Sequence, residues 1–186
     1  GNCSCRSNWS CLEKSQELAK ERDFIRQLFE LAPVIIIIQK QNGIILSIND
    51  AAKTALETDD SVIGKVFDIF IPETDQEHLN RLGRLRSQDN LEPMQMDGSL
   101  LTTSGKTLTI SWLHKLLPIR EEDGGKVILT LGVDISERKI VEARNIRMAY
   151  YDYLTGLSNR RKFQEEFTQS IAAASRYGYQ LAVLYM

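Results

Sequence analysis

The stretch from Val34 to Asp50, VIIIIQKQNGIILSIND, carries the clearest folding information in this sequence. Its opening residues are β-branched and form a short run, which predicts a strand. Asn42-Gly43 is a strong hairpin-turn signal, and Ile44 to Ile48 can supply the returning strand. Asn49 or Asp50 can then cap a short helix. The stretch therefore predicts an antiparallel hairpin that is followed at once by a helix.

A long helix is predicted upstream of the hairpin. Ser10 and Glu13 have capping-box spacing, so the helix is expected to begin there and to run to about Leu31, before Pro33. Apolar residues seven apart form a weak heptad seam, which is typical of helices paired in a dimer. The alternative is that the helix packs only on its own domain. We expect both contacts: the early part of the helix pairs in a dimer, and the later part packs on the domain. The seam consists of Cys11, Leu18, Ile25 and Ala32, with Leu28 at the complementary position, and the packing residues are Phe24, Leu28 and Phe29.

Two short helical segments are predicted after the hairpin. The run from Val66 to Phe70 lies between Gly64 and Pro72 and is long enough for one helical turn. Thr74 to Glu77 has the composition of a second capping box, so another helix is expected to follow it. The apolar side of that helix is formed by Leu79, Leu82 and Leu85.

The second half of the chain is predicted to be β. Leu91 to Leu101 is a broken strand candidate, with Gly98 as a bulge. Leu108, Ile110 and Trp112 alternate with polar residues, which is typical of a half-buried strand. Two strands, several short helices and three more strands indicate an α+β fold with one antiparallel sheet and helices on one face. A solvated loop is expected over Glu121–Gly125, and the last strand contains the alternating residues Val127, Leu129, Leu131, Val133 and Ile135.

This order of elements resembles that of a PAS domain, a sensor module. The resemblance extends over about residues 32–138, and the closing Asp134-Ile135-Ser136-Glu137-Arg138 is similar to the exit of PAS domains into a signalling helix. It implies a five-stranded antiparallel sheet with short helices on one face, flanked by N- and C-terminal signalling helices. The other motifs that carry the resemblance are Ala32-Pro33, Asn42-Gly43, Ile48-Asn49-Asp50-Ala51-Ala52, Ile63-Gly64-Lys65, Thr103-Ser104-Gly105-Lys106 and Gly132-Val133.

A second resemblance lies at Asp152–Arg161, DYLTGLSNRR. There Ser158 or Asn159 can cap an amphipathic helix, Gly178 lies just past the end of that helix, and Leu181–Met186 predicts a buried strand. The stretch resembles the opening of the GGDEF domain of diguanylate cyclases. The matching positions are Asp152, Leu154, Thr155, Gly156, Leu157, Asn159 and Arg160.

The catalytic part of that family is not matched. Its magnesium-binding Asp and its Gly-Gly-Asp-Glu-Phe signature do not occur in the sequence, so we expect no catalytic residue and no cyclase activity in these 186 residues. The resemblance implies a parent protein that uses magnesium and GTP. The expected division is a tail and helix over 1–31, a PAS sensor domain over 32–138, a linker helix over 139–151 and the truncated start of a GGDEF domain over 152–186.

The linker helix carries a second seam. Its seam residues have three- and four-residue spacing, and neither Pro nor Gly occurs between Ser136 and Tyr153. A stiff helix of this kind can transmit a rotation, which a flexible linker cannot. A homodimer through both flanking helices is therefore expected. The linker seam consists of Ile140, Ala143, Arg147 and Tyr150.

Five residues are candidates for a small-molecule pocket in the PAS region: His78, Met94, Met96, Trp112 and His114. PAS domains of similar sequence bind haem, flavin, small metabolites or nothing. A haem needs an axial ligand, for which only His78 and His114 are available, but His78 also fits an exposed helix face, the alternative that we favour. His114 can line a cavity or be a core histidine, and the Trp and Met residues fit core packing equally well. The flavin photosensor type is set aside, because no cysteine lies beyond Cys11.

Net charge and composition narrow the range of possible functions. The net charge of −2 gives no basic field for nucleic acid, and the longest aliphatic run, Val34 to Ile38, is far too short to span a bilayer. We expect a cytoplasmic module, whose parent could be membrane-anchored upstream. Cys3, Cys5 and Cys11 have no His nearby, so no metal site is predicted, and a mobile segment with incidental thiols is expected there.

Two functions remain. The first is a sensory module of a bacterial-type diguanylate cyclase, in which ligand or redox state sets dimer geometry and thereby cyclic di-GMP synthesis. The second is a dimerisation or docking module without a ligand, followed by a degenerate output domain. No nucleophile–base pair suggests catalysis by the PAS region itself.

Overall fold

The computed structural model describes residues 4–87, 92–120 and 126–182. The chain divides into two compact units, Gly1–Ser136 and Glu137–Met186, and each is described by itself. None of the helices in the described residues is both long and apolar enough to cross a membrane.

The first unit is built on one antiparallel sheet of five strands in the order β2-β1-β5-β4-β3. This confirms the predicted α+β fold with five strands. The strands are β1 Ile35–Lys40, β2 Ile45–Ile48, β3 Met94–Leu101, β4 Thr107–Arg120 and β5 Lys126–Asp134. The helices of the chain are α1 Ser4–Leu31, α2 Asp50–Leu56, α3 Gln76–Ser87, α4 Ser136–Tyr150 and α5 Arg160–Tyr177, with 3-10 turns at Asp60–Val62 and Phe67–Phe70.

The predicted hairpin joins β1 to β2. Gly43 adopts a φ of +89°, and its N–H donates to the carbonyl of Lys40 at 2.8 Å. The backbone conformation favours glycine at position 43, and a Cβ there would also lie 2.6 Å from Nη2 of Arg86, so that guanidinium group would have to shift.

Asn49 fastens three elements together. Its Oδ1 accepts from the N–H of Ala52 at 3.0 Å, which caps α2, and from the N–H of Ile36 in β1 at 2.9 Å. Its Nδ2 donates to the carbonyls of Phe29 at 3.1 Å and Val34 at 2.9 Å, at the end of α1. The Asn49 side chain is fully buried, and so is its bond to Ala52, whose N–H would otherwise lack a partner.

The core lies between the sheet and α2, α3 and the two 3-10 turns. Leu82 and Leu85 of α3 are buried and Leu79 is partly buried, as the apolar spacing predicts. The largest completely buried side chains of the unit are Trp112, Phe67, Ile37, Ile45, Leu56, Leu82, Leu100, Ile110, Leu116, Ile128, His78 and His114.

The last strand is confirmed, but of its predicted alternating residues only Val127 is buried, whereas Leu129, Leu131 and Ile135 are partly buried and Val133 is exposed. From position 128 onward the buried residues are Ile128, Thr130 and Gly132, and a Cβ on Gly132 would lie 2.7 Å from the Trp112 ring. The opposite side of the sheet therefore carries an aliphatic surface, partly or fully exposed, which we call the outer sheet face. It consists of Ile36, Ile38, Leu113, Leu129, Leu131 and Val133.

The helix starts differ from prediction in two places. The start of α1 at Ser10 is wrong, because α1 begins at Ser4 and neither Gly nor Pro interrupts the residues between. The cap of α3 is Asp75 rather than Thr74, since Oδ1 of Asp75 accepts from the N–H of His78 at 3.3 Å.

Two further expectations also failed. The expected packing of Phe24 and Leu28 on their own domain is wrong, because both are exposed and only Phe29 is partly buried there. The bulge at Gly98 is wrong as well: Gly98 pairs in register with Ile110. A Cβ at Gly98 would lie 2.8 Å from Nδ1 of His78, so close approach rather than a bulge requires the glycine. The expected loop over 121–125 lies outside the described residues.

The second unit contains α4, a tight turn and α5. Oδ1 of Asp152 accepts from the N–H of Thr155 at 2.9 Å and from its hydroxyl at 2.8 Å, which closes the turn. Asn159 caps α5 by accepting from the N–H of Lys162 at 3.0 Å, and its Nδ2 donates to the carbonyl of Ala149 at 2.8 Å. Gly178 ends α5 with a φ of +74°, as predicted.

The predicted strand at the end of the chain is not formed in its described part. Leu181 and Ala182 are exposed and have no regular secondary structure, and the rest of the segment lies outside the described residues. A strand requires a neighbouring strand, and no described residue pairs with these two.

We predict that Asn49→Ala destabilises the first unit by about 2–3 kcal/mol, because it removes a helix cap and leaves buried backbone groups unpaired. Asn42→Ala is the matched control, since Asn42 is exposed and makes only a local bond to the N–H of Ile44. Its expected effect is below about 0.5 kcal/mol. Urea unfolding followed by circular dichroism measures both, and equal losses for the two variants would contradict the role of Asn49.

Candidate functional site

A chain of polar side chains crosses the core of the first unit. We call it the buried polar network, and its order is Asp68, Arg86, Gln39, Thr130, His114, His78 and Asp75. Gln39, Thr130, His114 and His78 are all buried. Polar groups in such a position must pair with one another, because water cannot reach them.

One end of the network is an ion pair. The guanidinium of Arg86 donates to both carboxylate oxygens of Asp68, at 2.7 and 2.6 Å. Nη2 of Arg86 also donates to Oε1 of Gln39 at 3.2 Å. This two-pronged geometry orients the amide of Gln39, whose Nε2 then donates to Oγ1 of Thr130 at 2.7 Å.

The centre of the network is a pair of imidazoles. Nδ1 of His114 lies 2.9 Å from Oγ1 of Thr130, and Nε2 of His114 lies 3.1 Å from Nε2 of His78. Because Gln39 donates to Thr130, the Thr130 hydroxyl is free to donate its proton to Nδ1 of His114. Nε2 of His114 then carries the proton and donates to His78.

The other end is Asp75. Its Oδ2 lies 3.9 Å from Nδ1 of His78 and accepts from the N–H of Ser99 at 2.8 Å. Nδ1 of His78 is buried and has no hydrogen-bond partner. A carboxylate at this distance favours a proton on Nδ1, which agrees with the donor direction assigned to the rest of the network.

Burial sets the charge of both histidines. Desolvation, together with smaller contributions from the neighbouring His78 and the Arg86 cation, lowers the pKa of His114 to about 3. Desolvation also lowers the pKa of His78, although the Asp75 carboxylate opposes that shift. Both rings are therefore neutral at neutral pH.

The five predicted pocket residues lie together in the fold. The Trp112 ring stacks on His114 at 5.7 Å and meets the edge of Phe67 at 5.7 Å. Met94 and Met96 of β3 lie opposite His114 and Trp112 of β4, and both are partly buried against the core. Nε1 of Trp112 is buried and has no partner.

The position that we favoured for His78 from the sequence is wrong. It was expected on an exposed helix face, but its side chain is completely buried. Leu79 is only partly buried, so α3 turns His78 as well as the leucines toward the sheet. Gly98 provides the space for this, because any larger residue there would meet the His78 ring. The sequence left two alternatives for His114, a residue that lines a cavity or a core histidine. Its side chain is completely buried, so it is a core histidine.

The residues present do not fit a haem group. Iron ligation through His78 would use Nε2, which contacts His114, and the space beside the two imidazoles is filled by Trp112 and Phe67. Among the described residues, no three His, Cys, Asp or Glu side chains converge as metal ligands.

Sequence reasoning missed Gln39, Thr130, Asp75 and Arg86. Two of them carried a usable signal. Gln39 shares the inward face of β1 with Ile35 and Ile37 by period two, and Thr130 interrupts a run of aliphatic residues in β5. A polar residue on an inward face predicts a buried hydrogen bond, whereas its partner can be known only from the fold.

Two family models match this chain, and one match lies in each of its two compact units. The family model described as "PAS domain" matches residues 23–88, and the model described as "Diguanylate cyclase, GGDEF domain" matches residues 149–186. The chain thus carries a PAS domain followed by a GGDEF-type segment, which confirms both resemblances.

Solved structures with a similar fold are PAS or sensor domains. The PAS domain of an HTR-like protein from Haloarcula marismortui is 22% identical, with a TM-score of 0.56, and the match covers 66% of this chain and 98% of that chain. A domain of a sensory box sensor histidine kinase/response regulator from Geobacter sulfurreducens is 26% identical, with a TM-score of 0.50, covering 63% and 96%.

A third structure, the PAS domain of a protein from Colwellia psychrerythraea, is 20% identical, with a TM-score of 0.53 and coverage of 64% and 98%. At these identities the likeness supports the fold. No match was found among curated proteins.

We predict that Thr130→Val destabilises the first unit by about 2–3 kcal/mol, because it conserves shape but leaves Gln39 Nε2 and His114 Nδ1 without their shared partner. Thr109→Val in β4 is the control, since Thr109 is only partly buried, and its expected effect is below about 0.5 kcal/mol. Urea unfolding gives both values. A Thr130→Val loss as small as that of the control would show that the network contributes little.

Proposed function

We propose that this chain is the regulatory part of a diguanylate cyclase, in which the PAS domain controls cyclic di-GMP synthesis by setting the geometry of a dimer. The observation that carries the proposal is the continuity of the chain: β5 ends at Asp134, α4 begins at Ser136, and the GGDEF-type segment follows α4 directly. A helix without Gly or Pro can pass on a rotation.

The start of α4 is fastened to the sheet, which supports this coupling. The N–H of Ser136 donates to Oδ1 of Asp134 at 2.8 Å, and Oγ of Ser136 accepts from the N–H of Thr109 in β4 at 2.8 Å. The N–H of Ile135 donates to the carbonyl of Thr109 at 2.9 Å. A shift between β4 and β5 would therefore displace Ser136, the residue at which α4 begins.

Exposed apolar residues on both flanking helices support a dimer. Leu18, Ile25 and Leu28 of α1 are more than half exposed, at 65%, 59% and 57%, and Ile140 of α4 is 61% exposed. A row of this kind at heptad spacing is stable in water when a second helix covers it. The outer sheet face offers a further apolar area for the same contact.

The dimer matters because of the reaction that the family resemblance implies. A diguanylate cyclase joins two GTP molecules, each held by one subunit, so the relative position of two output domains decides activity. The proposal places the module in the cytoplasm, where GTP is available, as part of a parent protein that uses magnesium and GTP.

A second candidate function is a dimerisation or docking module without a small-molecule ligand. Its support is the packing of the candidate pocket, in which Trp112, His114 and His78 contact one another. The absorption spectrum of the purified protein separates the two: a coloured protein carries a bound cofactor, whereas a colourless one favours the second function or a colourless ligand.

We predict that Leu18→Glu combined with Ile25→Glu shifts the dimer toward monomer, because like charges would face each other across the seam. Gln16→Glu combined with Gln27→Glu is the matched control, since it adds the same charge to exposed positions of α1 away from the seam. Sedimentation velocity over a concentration series measures the dimer constant. Equal weakening by both pairs would remove the α1 seam from the interface.

The regulatory role is tested in a chimera that joins residues 1–151 to a complete, active diguanylate cyclase domain. We expect the seam variant to reduce cyclic di-GMP formation from GTP, while the Gln16→Glu/Gln27→Glu chimera remains as active as the parent chimera. The product is measured by chromatography. Full activity in a chimera that is monomeric by sedimentation would contradict control through dimer geometry.

A further inference from the structure

The two buried imidazoles face each other with their Nε2 atoms. These atoms lie 3.1 Å apart and come from different elements, α3 and β4. Two histidine ligands of one three-coordinate metal ion, each with a metal–nitrogen bond of about 2.0–2.1 Å, place their nitrogens about 3.5 Å apart at an angle of about 120°. The pair in this core is thus within a few tenths of an ångström of a chelating arrangement.

The far side of each ring is backed by an oxygen. Nδ1 of His114 lies 2.9 Å from Oγ1 of Thr130, and Nδ1 of His78 faces Oδ2 of Asp75 at 3.9 Å. Metal-ligating histidines usually donate their second N–H to a carboxylate, carbonyl or water, which fixes the tautomer and the ring orientation. The unpaired Nδ1 of His78 is explained if the ring carries its proton there and moves toward Asp75 when Nε2 binds a cation.

A third donor lies beside the pair. Met94 is directly opposite His114 in the β3–β4 ladder, and residues in that relation have Cβ atoms about 4.5–5.5 Å apart on one face of the sheet. Its side chain is flexible and only partly buried, and β3 is an edge strand. The pairing of Met94 with His114 at the edge of the sheet thus places a thioether side chain within reach of the buried pair.

Charge and ligand type select the cation. Asp75 is the carboxylate beside His78, whereas the charge of Arg86 is already paired with Asp68. A monovalent ion together with the Asp75 carboxylate makes the site neutral, whereas a divalent ion would leave a net positive charge in the core. Imidazole and thioether ligands suit Cu(I).

We propose that His78, His114 and Met94 form a Cu(I)-binding site in the core of the PAS domain. Binding needs no net release of protons. The proton on Nε2 of His114 moves to Nδ1 and is donated to Oγ1 of Thr130, which also accepts from Nε2 of Gln39 and turns its own hydroxyl proton away from His114. Both Nε2 lone pairs then point at the ion. The site rests on the geometry of this core and not on the proposed control of a cyclase.

The test uses the whole chain with Cys3→Ser, Cys5→Ser and Cys11→Ser, because the thiolates of these residues would themselves bind Cu(I). Cu(I) is titrated without oxygen in competition with bathocuproine disulfonate, and X-ray absorption identifies the ligand atoms. We expect one Cu(I) per chain with two nitrogen ligands and one sulfur ligand, and a raised melting temperature. Zn²⁺ is expected to compete poorly.

The variants separate ligands from neighbours. His78→Gln and His114→Gln should abolish binding, and Met94→Leu should remove the sulfur ligand and weaken binding. Met96→Leu, which lies opposite Trp112 instead, should leave affinity unchanged. Asp75→Asn keeps a helix-capping residue and should weaken binding about 10–100-fold.

Four results would overturn the proposal: a folded Cys-free chain that takes no Cu(I) from the chelator, binding that survives His114→Gln, Zn²⁺ binding that equals Cu(I) binding, or an unchanged affinity in Met94→Leu. If the histidine variants do not fold, the comparison of Met94→Leu with Met96→Leu decides the matter, since both substitutions conserve volume and differ only in which residue they face.

Discussion

The hydroxyl of Thr130 is the point on which the core of the PAS domain depends. It lies on β5, the central strand of the sheet, and contacts Gln39 of β1 at 2.7 Å and His114 of β4 at 2.9 Å. Three polar side chains on three adjacent strands thus satisfy one another without water. A buried polar group that loses its partner costs free energy, so the register of these strands is fixed by pairing as well as by apolar packing.

The same network ties the sheet to its helices. Through Gln39 it reaches the Arg86–Asp68 ion pair, which joins α3 to the 3-10 turn at Phe67–Phe70. Through His114 it reaches His78 and the cap residue Asp75 at the start of α3. A change at the imidazole pair can therefore reach both ends of α3 and the central strand. Since β5 leads into α4, this arrangement suits a domain proposed to report on its core through a helix.

Glycine makes room for this polar core at two positions. Gly98 leaves space for the His78 ring, and Gly43 leaves space for the Arg86 guanidinium. Neither reason was visible in the sequence, where Gly98 suggested a bulge and Gly43 a turn. The turn at Gly43 is real, and the Arg86 guanidinium also approaches the same residue closely.

The sequence by itself determined the strands of the hairpin, a cap for α2 at Asn49 or Asp50, the apolar side of α3 and the last strands. Each of these depends on neighbours within a few residues, so periodicity, turn chemistry and capping were sufficient to find them. Only the tertiary structure decided that His78 is buried against His114, that Thr130 and Gln39 join them, and that Leu129, Leu131 and Val133 of β5 lie on the outer sheet face. Those facts depend on contacts between residues distant in the chain, such as Gln39 with Thr130, and the spacing of residues along one strand does not specify its partner on another.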